Sequence, residues 1–380
     1  MLELVRPRPR DRNGSIAASR NAHTDPVRST GFVCRLGCAA LAIATVVFPV
    51  AVGVVVLDGA PAGASAAGPT IYVANYLSQT VTPVNAATNT ASTPITVGNE
   101  PSGIAISPDG KTAYVAEGLD GTVTPINTAT NTAGTPITVG TQPGAIAITP
   151  DGKTVYVANA GSHSVTPIAT ATNTAGAPIT VGNDPTGIAI TPDGKTAYVS
   201  NFSSNSVTPI NVATNTPGAP ITVVNSPDGM AVTPDGKTVF VVNNGGGTVT
   251  PIDTATNTAG SSFSIGGSPG QVAIAPNGLT GYVSTDFANT VTPFNTSTNS
   301  AGTPLTVGNH PGAIAVTPNG KTAYVLNYND GTMSPIATAT NSVGATIAVG
   351  SNPDGIAITP DQAPTAAFSV TAGAVGTPTS

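Results

Sequence analysis

The side chains able to do chemistry in this 380-residue chain recur at a constant step of 42 residues. One series, each member immediately before a proline, reads Glu100, Gln142, Asp184, Ser226, Ser268, His310 and Asn352. A second reads Tyr76, Gly118, Ala160, Phe202, Asn244, Asp286 and Tyr328. Carboxylates and an imidazole can move protons or hold a divalent cation. Exposed aromatic rings anchor protein interfaces and sugar faces, although they also pack on their own loops. From these series Tyr76, Phe202, Tyr328, Glu100, Gln142, Asp184, His310 and Asn352 are the candidate ligand-binding residues. The repeats hold two histidines, His163 and His310, and no Cys, Trp or Arg, and spacing offers no Ser-His-Asp set. Glu100, Asp184 and His310 together are chemically able to bind a cation, but they stand in repeats that are not all adjacent. No catalytic residue, metal ligand or cofactor is assigned.

The elements that must position these residues are set by the same period. A Tyr-Val-x-Asn type motif opens at Tyr72, Tyr114, Tyr156, Tyr198, Phe240, Tyr282 and Tyr324. In the copy from Gly103 to Val139, residues 103–107 read as a strand, Pro108-Asp109-Gly110 as a tight turn and residues 111–117 as a second strand. Residues 122–127 read as a third strand, Thr130-Asn131 as a turn and residues 136–139 as a fourth. Such a four-stranded antiparallel unit has apolar side chains on both faces, as at Ile104 and Ile106. One sheet cannot bury both faces alone, whereas radial stacking of seven can.

The expected fold class is therefore all-β, a seven-bladed β-propeller of four-stranded antiparallel blades over residues 69–361. The chain enters on a second strand (residues 71–75) and leaves on a first strand (residues 355–359). Closure then needs one blade built of three N-terminal strands and one C-terminal strand. Proline in every third strand, from Pro83 to Pro335, removes a ladder donor and predicts a bulge there or a short fourth strand.

The two ends of the blades are unequal. The Pro-Asp/Asn-Gly and Thr-Asn turns barely change among the seven copies, as structural turns would not. The loops carrying the two series above change in every copy. That pattern fits a binding face on a rigid scaffold, and it fits drift in loops that no turn chemistry constrains.

Charge is as uneven. All seven arginines precede residue 36, and from residue 69 onward five lysines stand against fourteen Asp and Glu, a net charge of −9. A surface of that sign repels a polyphosphate, so nucleic acid is excluded as a partner. Residues 1–35 form a basic n-region, and residues 36–57 are an uncharged apolar run long enough for a signal or a signal anchor. Residues 58–68 form an Ala/Gly-rich linker with two Ala-x-Ala cleavage patterns. The positive-inside rule keeps the arginines cytoplasmic and sends the chain beyond residue 58 across the membrane. The propeller is expected to be secreted or at the cell surface, touching membrane only through the N-terminal segment if that is uncleaved. Cys34 and Cys38 sit in this leader, so the repeats have no disulfide.

The block Ser107-Pro-Asp-Gly-Lys-Thr-Ala-Tyr-Val-Ala-Glu117, the variants Tyr-Val-Ala-Asn (residues 72–75) and Tyr-Val-Ser-Asn (residues 198–201), and Ala-Thr-Asn-Thr (residues 129–132) resemble the YVTN family of β-propeller repeats. The resemblance implies a seven-bladed propeller like those of YncE-like exported proteins and surface-layer proteins. It departs in the third strand, which reads Val-Thr-Pro-Ile-Asn where the family has Val-Ser-Val-Ile-Asp. Residues 362–380 resemble the opening of a PKD-like domain. The first functional reading is a binding scaffold for a cell-envelope glycan or surface protein. The alternatives are a lactonase-like hydrolase or lyase with a channel-mouth site, and a structural surface-layer subunit. A phosphosugar lactonase would want arginine to grip phosphate, and the repeats have none.

Overall fold

The computed structural model describes residues 68–361. The basic leader, the apolar run, the linker up to residue 67 and the PKD-like tail lie outside the described residues. Seven antiparallel sheets form a closed propeller. In the second blade the strands are Pro101–Ile106, Thr112–Glu117 and Thr122–Asn127, with an outer strand in two pieces, Thr132–Ala133 and Ile137–Thr138. Closure is as the phase of the repeats requires. The last strand, Pro353–Ile358, pairs with the first, Thr70–Asn75, with Ile71 opposite Ile358 and Val73 opposite Ile356. That composite sheet is counted here as blade one, and the others run in chain order to blade seven.

The third-strand proline leaves its own strand regular. Thr122–Asn127 pairs with Thr112–Glu117 at every residue, and Pro125 stands opposite Tyr114. The Pro125 carbonyl accepts from the Gly134 N–H at 2.7 Å on the outer side. Since N–H and C=O of one strand residue point the same way, the missing donor also falls on the outer side. The cost therefore lands on the fourth strand. Its two pieces pair as Ile126 with Ala133 and Val123 with Ile137, so three residues span where two face them. This one-residue bulge, with Pro136 inside it, breaks the outermost edge of the blade and blunts it against edge-to-edge pairing. The bulge expected in the third strand is therefore absent, and the other expected outcome, a short fourth strand, is what forms, with the bulge in that strand.

The hydrophobic core is divided among the seven blade junctions. Tyr72, Ala74, Val81 and Ile95 of blade one pack on Ile104, Ala113, Val115 and Ile126 of blade two, and six equivalent clusters complete the circle. Each tyrosine that opens the repeated motif also reaches across its junction. Tyr72 Oη donates to Asn131 Oδ1 at 2.7 Å, and Tyr114, Tyr156, Tyr198, Tyr282 and Tyr324 do the same to Asn173, Asn215, Asn257, Asn341 and Asn89. These asparagines are the constant residues of the Thr-Asn turns, and all hold left-handed backbone with φ of 52° to 56°. Asparagine tolerates that region and offers the acceptor at once.

The unvarying end of the molecule is thus held uniform by structure. The Ser107 hydroxyl bonds Asp109 Oδ1 at 2.6 Å, closing the Pro-Asp-Gly turn, and Thr128 Oγ1 donates to the Gly110 carbonyl at 2.6 Å, tying one turn to the other. The same pair of bonds recurs in later blades.

Candidate functional site

The two diversified series meet at the opposite end of the blades. In every blade the backbone N–H of one series donates to the carbonyl of the other: Tyr76 to Asn352, Gly118 to Glu100, Ala160 to Gln142, Phe202 to Asp184, Asn244 to Ser226, Asp286 to Ser268 and Tyr328 to His310, at 2.9 to 3.2 Å. The fold therefore sets seven residue pairs around one mouth. Glu100, Gln142, Asp184, Ser226, His310 and Asn352 all hold left-handed backbone, with φ of 53° to 58°. Glycine adopts that conformation at lower cost, and most side chains are disfavoured there. Asp184 and Asn352 are types that tolerate this region, whereas Glu100, Gln142, Ser226 and His310 hold it against their preference, and such local strain clusters at working sites.

The aromatic candidates separate in space. Tyr328 is buried, its ring edge-on to His310 with centroids 5.7 Å apart, and the Phe287 ring also approaches the imidazole at 5.7 Å. Tyr76 and Phe202 are half-buried. Phe202 opens a short 3-10 turn, Phe202–Ser204, whose Ser203 hydroxyl bonds Asp184. The large side chains most open to solvent at this end stand one residue later, at Leu77, Leu119 and Phe287. His163 serves its loop, with Nδ1 accepting from the Asp184 N–H at 3.1 Å.

The structure adds carboxylates that the sequence pattern alone does not single out. Asp228 and Asp354 each come directly after the first-strand proline, on the innermost strand of blades five and one. Here neighbouring blades come so close that a Cβ on Gly355 would lie 2.1 Å from the Ser102 carbonyl oxygen. Burial pushes the Asp228 carboxyl up to about 7, with the charges of Asp286, Asp354 and Asp184 adding to the rise and a hydrogen bond from Thr186 opposing it. Asp228, on blade five, thus feels the charge of carboxylates carried by blades one, four and six. His310 stands beside this group, Nε2 at 3.9 Å from Asp286 Oδ2. The signal is present as Pro-Asp-Gly at 227–229 and 353–355, but it reads like the hairpin turn at 108–110. Among the described residues no group of three or more His, Asp or Glu is disposed to hold a metal ion. Glu100, Asp184 and His310 belong to three separate loops of blades two, four and seven.

Charge is segregated between the two ends. The five lysines all stand directly after hairpin turns at the uniform end, and four of them pair with the aspartate of the same turn at 3.1 to 3.5 Å. The diversified end has Glu100, Glu117, Asp120 and Asp330 besides the four channel carboxylates, and no lysine or arginine among the described residues.

Two family models match parts of the sequence. The YNCE-like beta-propeller model matches residues 26–127, and the model described as lactonase, 7-bladed beta-propeller, matches residues 91–216, each less than half of the chain. No curated protein matches the sequence. Among solved structures, a chain of Kuenenia stuttgartiensis hydrazine synthase is similar with a TM-score of 0.66 and 23% identity, covering 74% of this chain and 99% of that one. A functionally unknown protein from Desulfotomaculum acetoxidans gives 0.68 and 20%, covering 77% and 99%. The Pseudomonas aeruginosa periplasmic gluconolactonase gives 0.66 and 15%, covering 77% and 99%. At such identities the likeness establishes the propeller fold alone.

Proposed function

We propose that this propeller is a binding protein of the cell exterior, taking an uncharged or cationic ligand at the mouth ringed by its diversified loops. The observation that carries this reading is the charge segregation: eight carboxylates and no lysine or arginine at that end among the described residues. A field of that sign raises the local concentration of cations and repels phosphates and carboxylates. The retained side chains in left-handed backbone support the same face. The test is a screen of the purified protein against neutral, amine-bearing and anionic cell-envelope glycans, with Tyr76→Ala and Phe202→Ala together as the variant. Neutral or amine-bearing glycans should bind and the double variant should weaken them. Preference for anionic glycans would overturn the reading.

A second reading, hydrolysis of an uncharged lactone, is favoured by the lactonase match and by Asp228. A carboxyl titrating near neutrality suits a general base. It would take a proton from water as the water oxygen attacks the lactone carbonyl, and the ring C–O bond would then break with the alkoxide taking up a proton. The reading ranks second because the surrounding carboxylates oppose the developing oxyanion, where a lactonase needs donors or positive charge. Hydrolysis with an inflection near pH 7 that Asp228→Asn abolishes would raise it above the first.

A further inference from the structure

The diversified end is itself divided into two unlike halves. At the position after the second series, blades six, one and two carry Phe287, Leu77 and Leu119, with relative exposures of 76%, 63% and 60%. Blades three, four and five carry Gly161, Ser203 and Gly245 there. Since blade seven closes onto blade one, the three apolar side chains fall within one run of four consecutive blades, six, seven, one and two. Blade seven, which has Asn329 at that position, supplies a groove instead. It has a volume of about 510 Å³ and is lined by Ser78, Asn329, Asp330, Gly331, Gly350 and Asn352 among others. Carboxylates flank two of the three apolar positions, Asp286 preceding Phe287 and Asp120 following Leu119, and Asp330 lies in the groove, while the Leu77 loop has none. Asp120 and Asp330 also accept from the Asn99 and Asn309 N–H groups of the adjoining loops. At the position of Asp120 blade seven has Asp330, blades one and six have Ser78 and Ala288, and blades three to five have Ser162, Ser204 and Gly246, so both carboxylates of that position fall within the run.

We propose that this crescent is a docking surface for a protein segment in which basic and apolar side chains alternate. The inference rests on the binding reading above and names one partner for that face. The three exposed large apolar side chains at this end all fall in one half of it, where singly scattered ones would be spread among the blades. The interleaved carboxylates, with no lysine or arginine among them, select the sign of the partner's charge. A groove lined by two glycines and by amide, hydroxyl and carboxylate groups suits an extended main chain better than a sugar ring or an apolar pocket ligand. An anionic lipid surface is disfavoured by the same field.

The experiment uses the purified protein and two labelled synthetic peptides, one alternating Lys and Leu, the other alternating Glu and Leu. Fluorescence anisotropy is read at low and high salt, for the parent, for the triple variant Leu77→Ser, Leu119→Ser, Phe287→Ser, and for Leu279→Ser. Leu279 is 58% exposed in a hairpin turn at the opposite end and controls for the loss of any surface apolar group. The expected result is binding of the Lys peptide alone, weakened by salt, reduced about tenfold or more in the triple variant and unchanged in Leu279→Ser. Equal binding by the triple variant would show attraction by charge alone and overturn the proposal, as would equal binding of the Glu peptide. A dimer in sedimentation that the triple variant abolishes would overturn it too, assigning the crescent to a second copy of this chain. If neither peptide binds while neutral glycans still do, the docking proposal fails and the binding reading stands.

Discussion

Phe240→Tyr should stabilise the protein. Phe240 occupies the place of the six tyrosines that donate across the blade junctions, and the acceptor it faces, Asn299 Oδ1, is buried without a hydrogen-bond partner. The other six asparagines accept at 2.5 to 3.1 Å. Phe240 is as buried as the tyrosines, with 1% exposure against 1 to 3%. A net hydrogen bond contributes about 1 kcal/mol, and relieving an unsatisfied buried acceptor adds to it, so a gain of ~1 to 2 kcal/mol is expected. For a domain of this size that corresponds to a rise of about 2 °C or more in the thermal midpoint. The assay is urea and thermal unfolding of the parent and Phe240→Tyr, each with and without Asn299→Gly, which keeps the left-handed backbone and deletes the acceptor. The gain should vanish in the Asn299→Gly background. A Phe240→Tyr protein no more stable than the parent, or one equally stabilised without Asn299, would refute the reasoning.

The same junction predicts a compensating pair. Phe294 stands where five other blades have Ile, at positions 126, 168, 210, 252 and 336, and it lies opposite Gly281, where a Cβ would come 2.1 Å from its ring. Gly281→Ala should therefore destabilise by about 1 to 3 kcal/mol through overpacking, and adding Phe294→Ile should recover most of the loss in urea unfolding. Asp228 gives a pH signature of definite sign. Its folded value of about 7 lies above the ordinary 3.8, so between those values the folded state binds more protons than the unfolded one and stability falls as pH rises. The loss should be complete above pH 7 and amount to a few kcal/mol at most. Asp228→Asn should lack this fall and exceed the parent in stability at pH 8 while matching it near pH 4. Parallel curves for the two proteins would show that Asp228 ionises normally.

Much of the fold was open to the sequence because the period is unbroken. An even step of 42 with turn residues at fixed places sets the number of blades, and the phase of the first and last repeats sets which strand closes the ring. Both are consequences of local chemistry repeated seven times. The strand limits were harder to read. The first strand begins at Pro101 and carries a bulge before Ile104, and the fourth is broken. The break in the fourth strand depends on which side of the third strand its proline leaves without a donor, and only the ladder pattern shows that or the first-strand bulge.

The site divides in the same way. Sequence alone marked one end of the blades as diversified, since comparing seven copies within one chain needs no structure, and it named the residues whose loops prove to be hydrogen-bonded in pairs. It could not show that Asp228 and Asp354 reach the channel, because Pro-Asp-Gly is the same string in a hairpin turn and in an inner strand. Nor could it place Tyr328 against His310, or gather Leu77, Leu119 and Phe287 into one half of the mouth. Ring closure sets residues side by side though they are up to 289 positions apart, as Thr70 and Thr359 of the composite blade are. Local propensity and periodicity determine the blade, whereas burial, charge coupling and the asymmetry of the mouth exist only once seven blades share an axis.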